Sequence, residues 1–220
     1  MIASPSLRPA KVRPPASPVA DAVARLSVVP LTIEQYQRMI EDGIIGENST
    51  AELLRGMLLR KDRSSPGEDP MSHSPRHRLA VGLLTGLAAK IDGPLQHIQI
   101  QLPVACPPDG APEPDAAIIR GVLLDYTERL PGPGDVACVI EASHSSLDRD
   151  RDDKLPIYAA AGVPQSIIIN LVNDTIEVYT DPDTVSEQYR TKVTLKRSQD
   201  LSLELPGGQF VIAASDVLPP

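Results

Sequence analysis

Tryptophan is absent from this 220-residue chain, and its aromatic residues are five Tyr and one Phe. The core must therefore be filled with Val, Ile, Leu and Ala, and little is left for a base-stacking surface. Cysteine is scarce too. Cys106 and Cys138 are not in CxxC spacing, which argues against a disulfide scaffold or a structural zinc site. No run approaches the roughly 18 apolar residues of a membrane span, and residues 1–15 lack the apolar stretch of about 7 to 15 residues of a signal peptide. A soluble protein of the reducing cytoplasm is the expectation. Positive charge is in deficit, with 21 Lys plus Arg against 29 Asp plus Glu and a net charge of −8. That argues against broad attraction to nucleic acid or anionic membrane, while leaving room for a local basic patch. Proline, by contrast, is plentiful. Its 23 residues, roughly twice the usual share of about 5%, break the chain too often for a helical bundle.

The length suits one elaborated domain, and composition divides it. Residues 1–30, rich in Pro, Ala, Ser and Val, read as a flexible arm, and 31–220 as the folded domain. Thr32 before Ile33, Tyr36, Met39 and Ile40 predicts a capped amphipathic helix ending at Gly43. Runs at 51–54 and 57–59 flank Arg55-Gly56, a two-residue hairpin connection in which Arg is a poor choice where φ must be positive. Residues 60–74 read as a loop. A helix over 75–90 starts at Ser74 and presents Leu79, Leu83, Leu84 and Leu87 to a sheet. Strands are predicted at 97–102, 115–119 and 136–140. A helix over 147–161, opened by Ser145 or Ser146 and stopped at Gly162, comes next. Strands at 166–172 and 175–179 are joined by a turn at Asn173-Asp174, with terminal strands at 188–195 and 209–213. The order suggests a mixed α/β sheet with helices on its faces.

The informative residues are carboxylates set at the ends of apolar strands. Glu113-Pro114-Asp115 introduces Ala-Ala-Ile-Ile, and Val139-Ile140 runs directly into Glu141. Ionised carboxylates are costly to bury unless paired or bound to a cation. On neighbouring strands, Asp115 and Glu141 could converge and offer hard oxygen donors to Mg²⁺ or Mn²⁺. After a Ser145-Ser146 turn and about two helical turns, Lys154 could return an ammonium over them, on one stripe with Asp150 and Tyr158. Each residue also has a plainer reading. Asp115 could open a strand, Glu141 could pair with an Arg, and Lys154 could be a solvated helix residue. The joint pattern is what points to a metal site.

Glu141-Ala142-Ser143-His144-Ser145-Ser146-Leu147-Asp148, with Asp150-Arg151-Asp152-Asp153-Lys154-Leu155, Tyr158-Ala159 and Ala161-Gly162-Val163-Pro164, resembles the hallmark stretch of the Uma-two family. That family is a restriction-endonuclease-like branch of the PD-(D/E)XK nuclease superfamily. Three further segments agree. Ala51-Glu52-Leu53-Leu54-Arg55-Gly56 resembles the family's hairpin, Ser74-Pro75-Arg76-His77 its helix start, and Pro114-Asp115 its namesake dipeptide. The resemblance implies a restriction-endonuclease-like mixed β-sheet flanked by helices, with an N-terminal β-hairpin. It also implies metal-dependent endonuclease chemistry on DNA. Asp115 and Glu141 would be metal ligands, with a backbone carbonyl near Ala142. Lys154 would be the catalytic lysine, displaced from the strand position now held by Ser143 onto the next helix. Glu52 would be the acid contributed by the hairpin. Two positions depart from the family: Arg55, where Asp is frequent, and Ile168, where Trp is common.

Phosphate contact has its own candidates. Arg55, Arg60, Lys61, Arg63, Arg76 and Arg78 outnumber Asp62, Glu68 and Asp69, and a solvated loop fits that count equally well. Arg76 and His77 are the candidates within it, although a capping or packing role suits His77 at least as well. His73 and His144 lack zinc spacing. Asp148 and Asp150 favourably charge a helix start, and Asp150 could pair with Lys154. The function expected is a Mg²⁺- or Mn²⁺-dependent deoxyribonuclease, with a homodimer by analogy. The competing expectation is a non-catalytic nucleic-acid-binding or assembly protein that keeps the fold.

Overall fold

The computed structural model describes residues 29–46, 51–60 and 74–220. Residues 1–28 of the expected arm lie outside the described residues, as do Lys61, Asp62, Arg63, Glu68, Asp69 and His73 of the expected loop.

Helix α1 (Ile33–Glu41) opens on a capping box, in which Gln35 N donates to Thr32 Oγ1 (3.2 Å) and Thr32 N to Gln35 Oε1 (2.9 Å). Its Ile33 and Tyr36 pack on Leu53 and Ala111. Strands β1 (Ala51–Leu54) and β2 (Met57–Arg60) form the expected hairpin. Both turn residues are left-handed, Arg55 at φ 49° and Gly56 at φ 73°, as a two-residue I′ connection requires. The Arg55 guanidinium is anchored by Glu187 (2.5 Å). A Cβ at Gly56 would lie 2.8 Å from Pro30 Cα and 3.1 Å from Leu31 N. Gly56→Ala is therefore expected to destabilise by about 1–3 kcal/mol, read from the midpoint of denaturant unfolding.

The helix expected over 75–90 breaks at Leu87 into α2 (Pro75–Gly86), capped by Ser74, and α3 (Ala88–Ile91). Ala80, Leu84, Leu87 and Ile91 form its buried stripe, whereas Leu79, expected to pack, is 45% exposed. The small Ala80 lets α2 lie close to the sheet, and its neighbour Leu79 is turned off that line.

Six strands form the main sheet: β3 (Gln96–Ile100), β4 (Ala116–Arg120), β5 (Val136–Ser143), β6 (Gln165–Asn170), β7 (Thr175–Asp183) and β8 (Gln188–Lys196). They lie in that order, antiparallel except for the parallel β5–β6 pair. Every residue of β5 and β6 is buried, as expected where both faces are covered. Ile118, Ile140, Ile167 and Ile169 face α2 and a second hairpin, β9 (Asp200–Leu205) with β10 (Gly208–Ala213). Ala117, Ile119 and Val139 face Leu54, Val104, Ile157 and Tyr158. β9 escaped the sequence reading although Leu201, Leu203 and Leu205 alternate cleanly inward. The β6–β7 connection spans Leu171 to Asp174 rather than two residues, and Leu171 is buried within it.

The β5–β6 crossover is not one regular helix. It comprises α4 (Leu147–Arg149), a π turn (Asp150–Lys154) and α5 (Leu155–Ala160), and Leu155 N bonds Asp150 O across the wider ring. Pro156 lacks the N–H that would continue the α-helical ladder, which favours the wider turn. Among the described residues no helix is long and apolar enough to cross a membrane.

Candidate active site

The β4–β5 ladder ends with Ala116 opposite Ile140, so Asp115 arrives beside Glu141 and Ala142 at one end of neighbouring strands. Asp115 Oδ2 accepts from Ala142 N (2.8 Å), and Oδ1 accepts from Gln101 Nε2 (3.3 Å). His77, in the first turn of α2, lies across this end. Its Nδ1 is 2.7 Å from the Ala142 carbonyl oxygen and its Nε2 is 3.4 Å from Asp115 Oδ1. Burial pushes the Asp115 carboxyl up, but His77 and the Ala142 amide outweigh it and hold the group below its usual range. Burial likewise opposes charge on His77, and Asp115 overcomes it, raising the imidazole above its usual value.

Lys154 reaches this end of the sheet from the π turn. Its ammonium donates to Glu141 Oε1 (3.0 Å) and to the Glu113 carbonyl (3.0 Å), and lies 3.3 Å from Glu52 Oε2. Tyr158 Oη donates to the same Glu141 oxygen (2.8 Å). Glu52, wholly buried on β1, is paired with Arg149 and accepts from Glu113 N (3.1 Å). Asp150 Oδ2 accepts from Ser143 Oγ and Ser146 Oγ, each at 2.7 Å. Burial raises Asp150. It also raises Glu141, to about 8, because desolvation exceeds the pull of Lys154 while Asp150, Asp115 and Glu52 add repulsion. Burial opposes the charge on Lys154 as well, but the surrounding carboxylates keep the ammonium protonated well above its usual range. Among the described residues, carboxyl groups thus outnumber basic ones: Glu52, Asp115, Glu141 and Asp150 share the site with Arg149, Lys154 and the His77 imidazole beside Asp115.

A family described as "Uma2: Putative restriction endonuclease" matches residues 33–215. That span takes in the hairpin, the sheet and the whole cluster. The chain belongs to the Uma2 family. No curated protein matches it. Among solved structures, a "putative nuclease belonging to DUF820 from Anabaena variabilis" superposes with a TM-score of 0.62 at 11% identity. The alignment covers 86% of this chain and 98% of that one, and at such low identity it speaks for a shared fold.

On this Uma2 fold, Glu52, Asp115, Glu141 and Lys154 all meet at one sheet end. Arg76 is engaged elsewhere. It donates to the Leu171 carbonyl (2.7 Å) and the Pro219 carbonyl (3.3 Å) and pairs with Asp174, tying the start of α2 to the C-terminal residues. His77 is turned inward onto Asp115 and Ala142, and His144 is exposed. Asp150, which could pair with Lys154, is hydrogen-bonded by two serines and interacts with the ammonium through charge. The sequence reading missed Arg149 and the Ser143 hydroxyl. A buried Ser at the strand position after Glu141-Ala142 was the available signal for the second. Among the described residues no three His, Cys, Asp or Glu side chains are grouped closely enough to hold a metal ion by themselves. Asp115, Glu141 and the Ala142 carbonyl form an oxygen-only set, the donor chemistry of hard divalent cations.

Proposed function

We propose that this Uma2 chain is a metal-dependent endodeoxyribonuclease. One observation carries the reading: Lys154 and Glu141 meet 3.0 Å apart beside Asp115, in a site with more carboxylates than cations. A divalent cation fits that imbalance. The buried Glu141 carboxyl is not neutralised by Lys154, and a second, stronger positive charge would stabilise its ionised form. Asp115, Glu141 and the Ala142 carbonyl would hold Mg²⁺ or Mn²⁺, as the restriction-endonuclease-like family generally employs divalent ions. When bound, the metal supplies a water of lowered pKa and a charge facing the scissile phosphate.

The chain's own residues do the rest. Lys154 remains charged throughout the working pH range, so it acts as a donor that orients the nucleophile and stabilises charge developing on the phosphate. It is not a general base. Glu52 and the Glu113 carbonyl fix the ammonium, and Tyr158 fixes the Glu141 oxygen that Lys154 shares. Asp115 is oriented by the Ala142 amide.

The test is incubation of supercoiled and linear DNA with the full chain in Mg²⁺ or Mn²⁺. Cleavage is expected, with its loss in chelator and a drop of at least about 100-fold in Asp115→Asn. Equal cleavage by wild type and Asp115→Asn would sink the assignment, as would no cleavage of any DNA by a folded, metal-loaded wild type.

A further inference from the structure

The face of the sheet that carries Glu141 continues outward through cross-strand partners. Glu141 is opposite Ile168, Ile168 opposite Glu177, and Glu177 opposite Thr194. Directly paired residues share a face, so Glu177 lies on the Glu141 side, two strand spacings or about 10 Å away. Two cations pair with this carboxylate and a third, Lys196, stands on the same face of the neighbouring strand. Arg151, from the π turn, donates through Nε (3.2 Å) and Nη2. Lys192 Nζ is 2.8 Å away and also lies over the Tyr179 ring, 5.1 Å from its centroid. Lys196, opposite Thr175 on the same face of β8, is exposed.

Glu177 already has more donors than it needs. Besides Arg151, Tyr179 Oη (2.5 Å) and Asn170 Nδ2 (3.0 Å) donate to it, and the carboxylate is 3% exposed. Burial pushes its pKa up, yet these bonds and Lys192 bring it down to about 2, so it is a permanent anion. Arg151 and Lys192 remain 32% and 45% exposed. Arg151, Lys192 and Lys196 against Glu177 and the neighbouring exposed Asp152 therefore leave a net positive charge on the face of the proposed nuclease site, on a chain whose total is −8.

We propose that Arg151 and Lys192, organised by Glu177, together with Lys196 are the surface that grips the phosphodiester backbone of the DNA strand flanking the cleavage point. Glu177 sets the direction of Arg151 and Lys192, and Arg151 joins this surface to the turn that bears Lys154. The contacts reach phosphates, not base edges, so they position the duplex without reading sequence. This surface accounts for how an acidic protein with few aromatic residues would hold DNA beside Asp115 and Glu141. The proposal rests on the nuclease reading above.

Lys192 and Lys196 are exposed edge-strand residues, so their removal leaves the core intact. Binding of a fluorescently labelled duplex by the full chain is measured by anisotropy in Ca²⁺, over a series of salt concentrations, with the DNA checked for integrity. Lys192→Ala and Lys196→Ala are each expected to lower the slope of log K against log salt by about 0.9. Near 0.1 M salt, affinity should fall about tenfold per lysine. The Lys→Arg variants should retain both. Lys90→Ala, on α3, is the control and should leave slope and affinity unchanged. Wild-type slope and affinity in the two alanine variants, with cleavage intact, would overturn this surface alone. The same loss in Lys90→Ala would also overturn it, because the effect would then follow overall charge. A wild type that neither binds nor cuts DNA would remove the nuclease reading first, and this surface with it.

Discussion

Lys154→Met is expected to abolish DNA cleavage and to lower stability by roughly 3–5 kcal/mol. The side chain is 7% exposed and touches Glu141, Glu52 and the Glu113 carbonyl. Its removal leaves Glu141 buried with Tyr158 as its remaining donor of those described. Burial already pushes Glu141 up to about 8, so without Lys154 the carboxyl stays protonated and unpaired with the ammonium, and Glu52 loses one of its two cations, which together cost more than the packing that Met restores. The two effects separate by rescue. In Lys154→Met/Glu141→Gln the stranded carboxyl is gone, so most of the stability should return, whereas cleavage is read in Lys154→Met itself, where Glu141 is kept. Denaturant midpoints give the first readout and plasmid nicking the second. A folded Lys154→Met that cleaved DNA at the wild-type rate would make Lys154 a structural residue and remove its role at the phosphate. Lys154→Arg is a poor substitute in either respect, because a planar fork cannot satisfy three acceptors arranged for an ammonium.

Much of this site was legible in the sequence, and the reason is physical. Asp115 opens β4, and Glu141 is a carboxylate set inside β5, which runs on to Ser143, so each is a charged group where a strand buried on both faces calls for an apolar one. Asp115 and Glu141 could thus be brought together on the condition that their strands are neighbours, which the β4–β5 pairing meets. The spacing from Glu141 to Lys154 was readable because the helix that returns over a strand has few possible lengths. What could not be read was set by geometry that residue type does not encode. The π turn sets Asp150 on the Ser143 and Ser146 hydroxyls, and nothing but Pro156 hints at it. Arg149 is four residues before Asp153 and looks like a surface arginine, yet it is buried against a hairpin nearly a hundred positions earlier. In the fold, the leucine stripe of the 75–90 helix includes Leu79, while close helix–sheet contact selects the small Ala80 beside it. β9 was missed because five residues of alternation between Asp200 and Pro206 are a weak signal without knowing that a hydrophobic sheet face awaits them.

Arg149→Met is expected to produce the second large effect, again about 3–5 kcal/mol of lost stability, with the damage centred on the hairpin. Arg149 is 6% exposed, pairs with Glu52 and donates to the Arg60 carbonyl (2.9 Å). It therefore fastens both strands of the hairpin, β1 through a side chain and β2 through its backbone, to the helix that carries Lys154. Without it, Glu52 keeps Lys154 at 3.3 Å and the Glu113 amide at 3.1 Å, so one ammonium must serve two buried carboxylates. Lys154 is then drawn towards Glu52 and away from the position it shares with Tyr158 on Glu141. Cleavage should fall in Arg149→Met, but less than in Lys154→Met, since the reacting groups remain. Glu52→Gln supplies the other corner of the cycle. If the Arg149–Glu52 pair is what holds the hairpin, Glu52→Gln/Arg149→Met should be more stable than Arg149→Met alone, because the neutral amide needs no cation. Hydrogen exchange locates the effect: amides of β1 and β2 should lose protection before those of β5 and β6. Uniform loss across the sheet would show instead that the pair supports the whole core, and the hairpin would then not be a separately tethered element of the site.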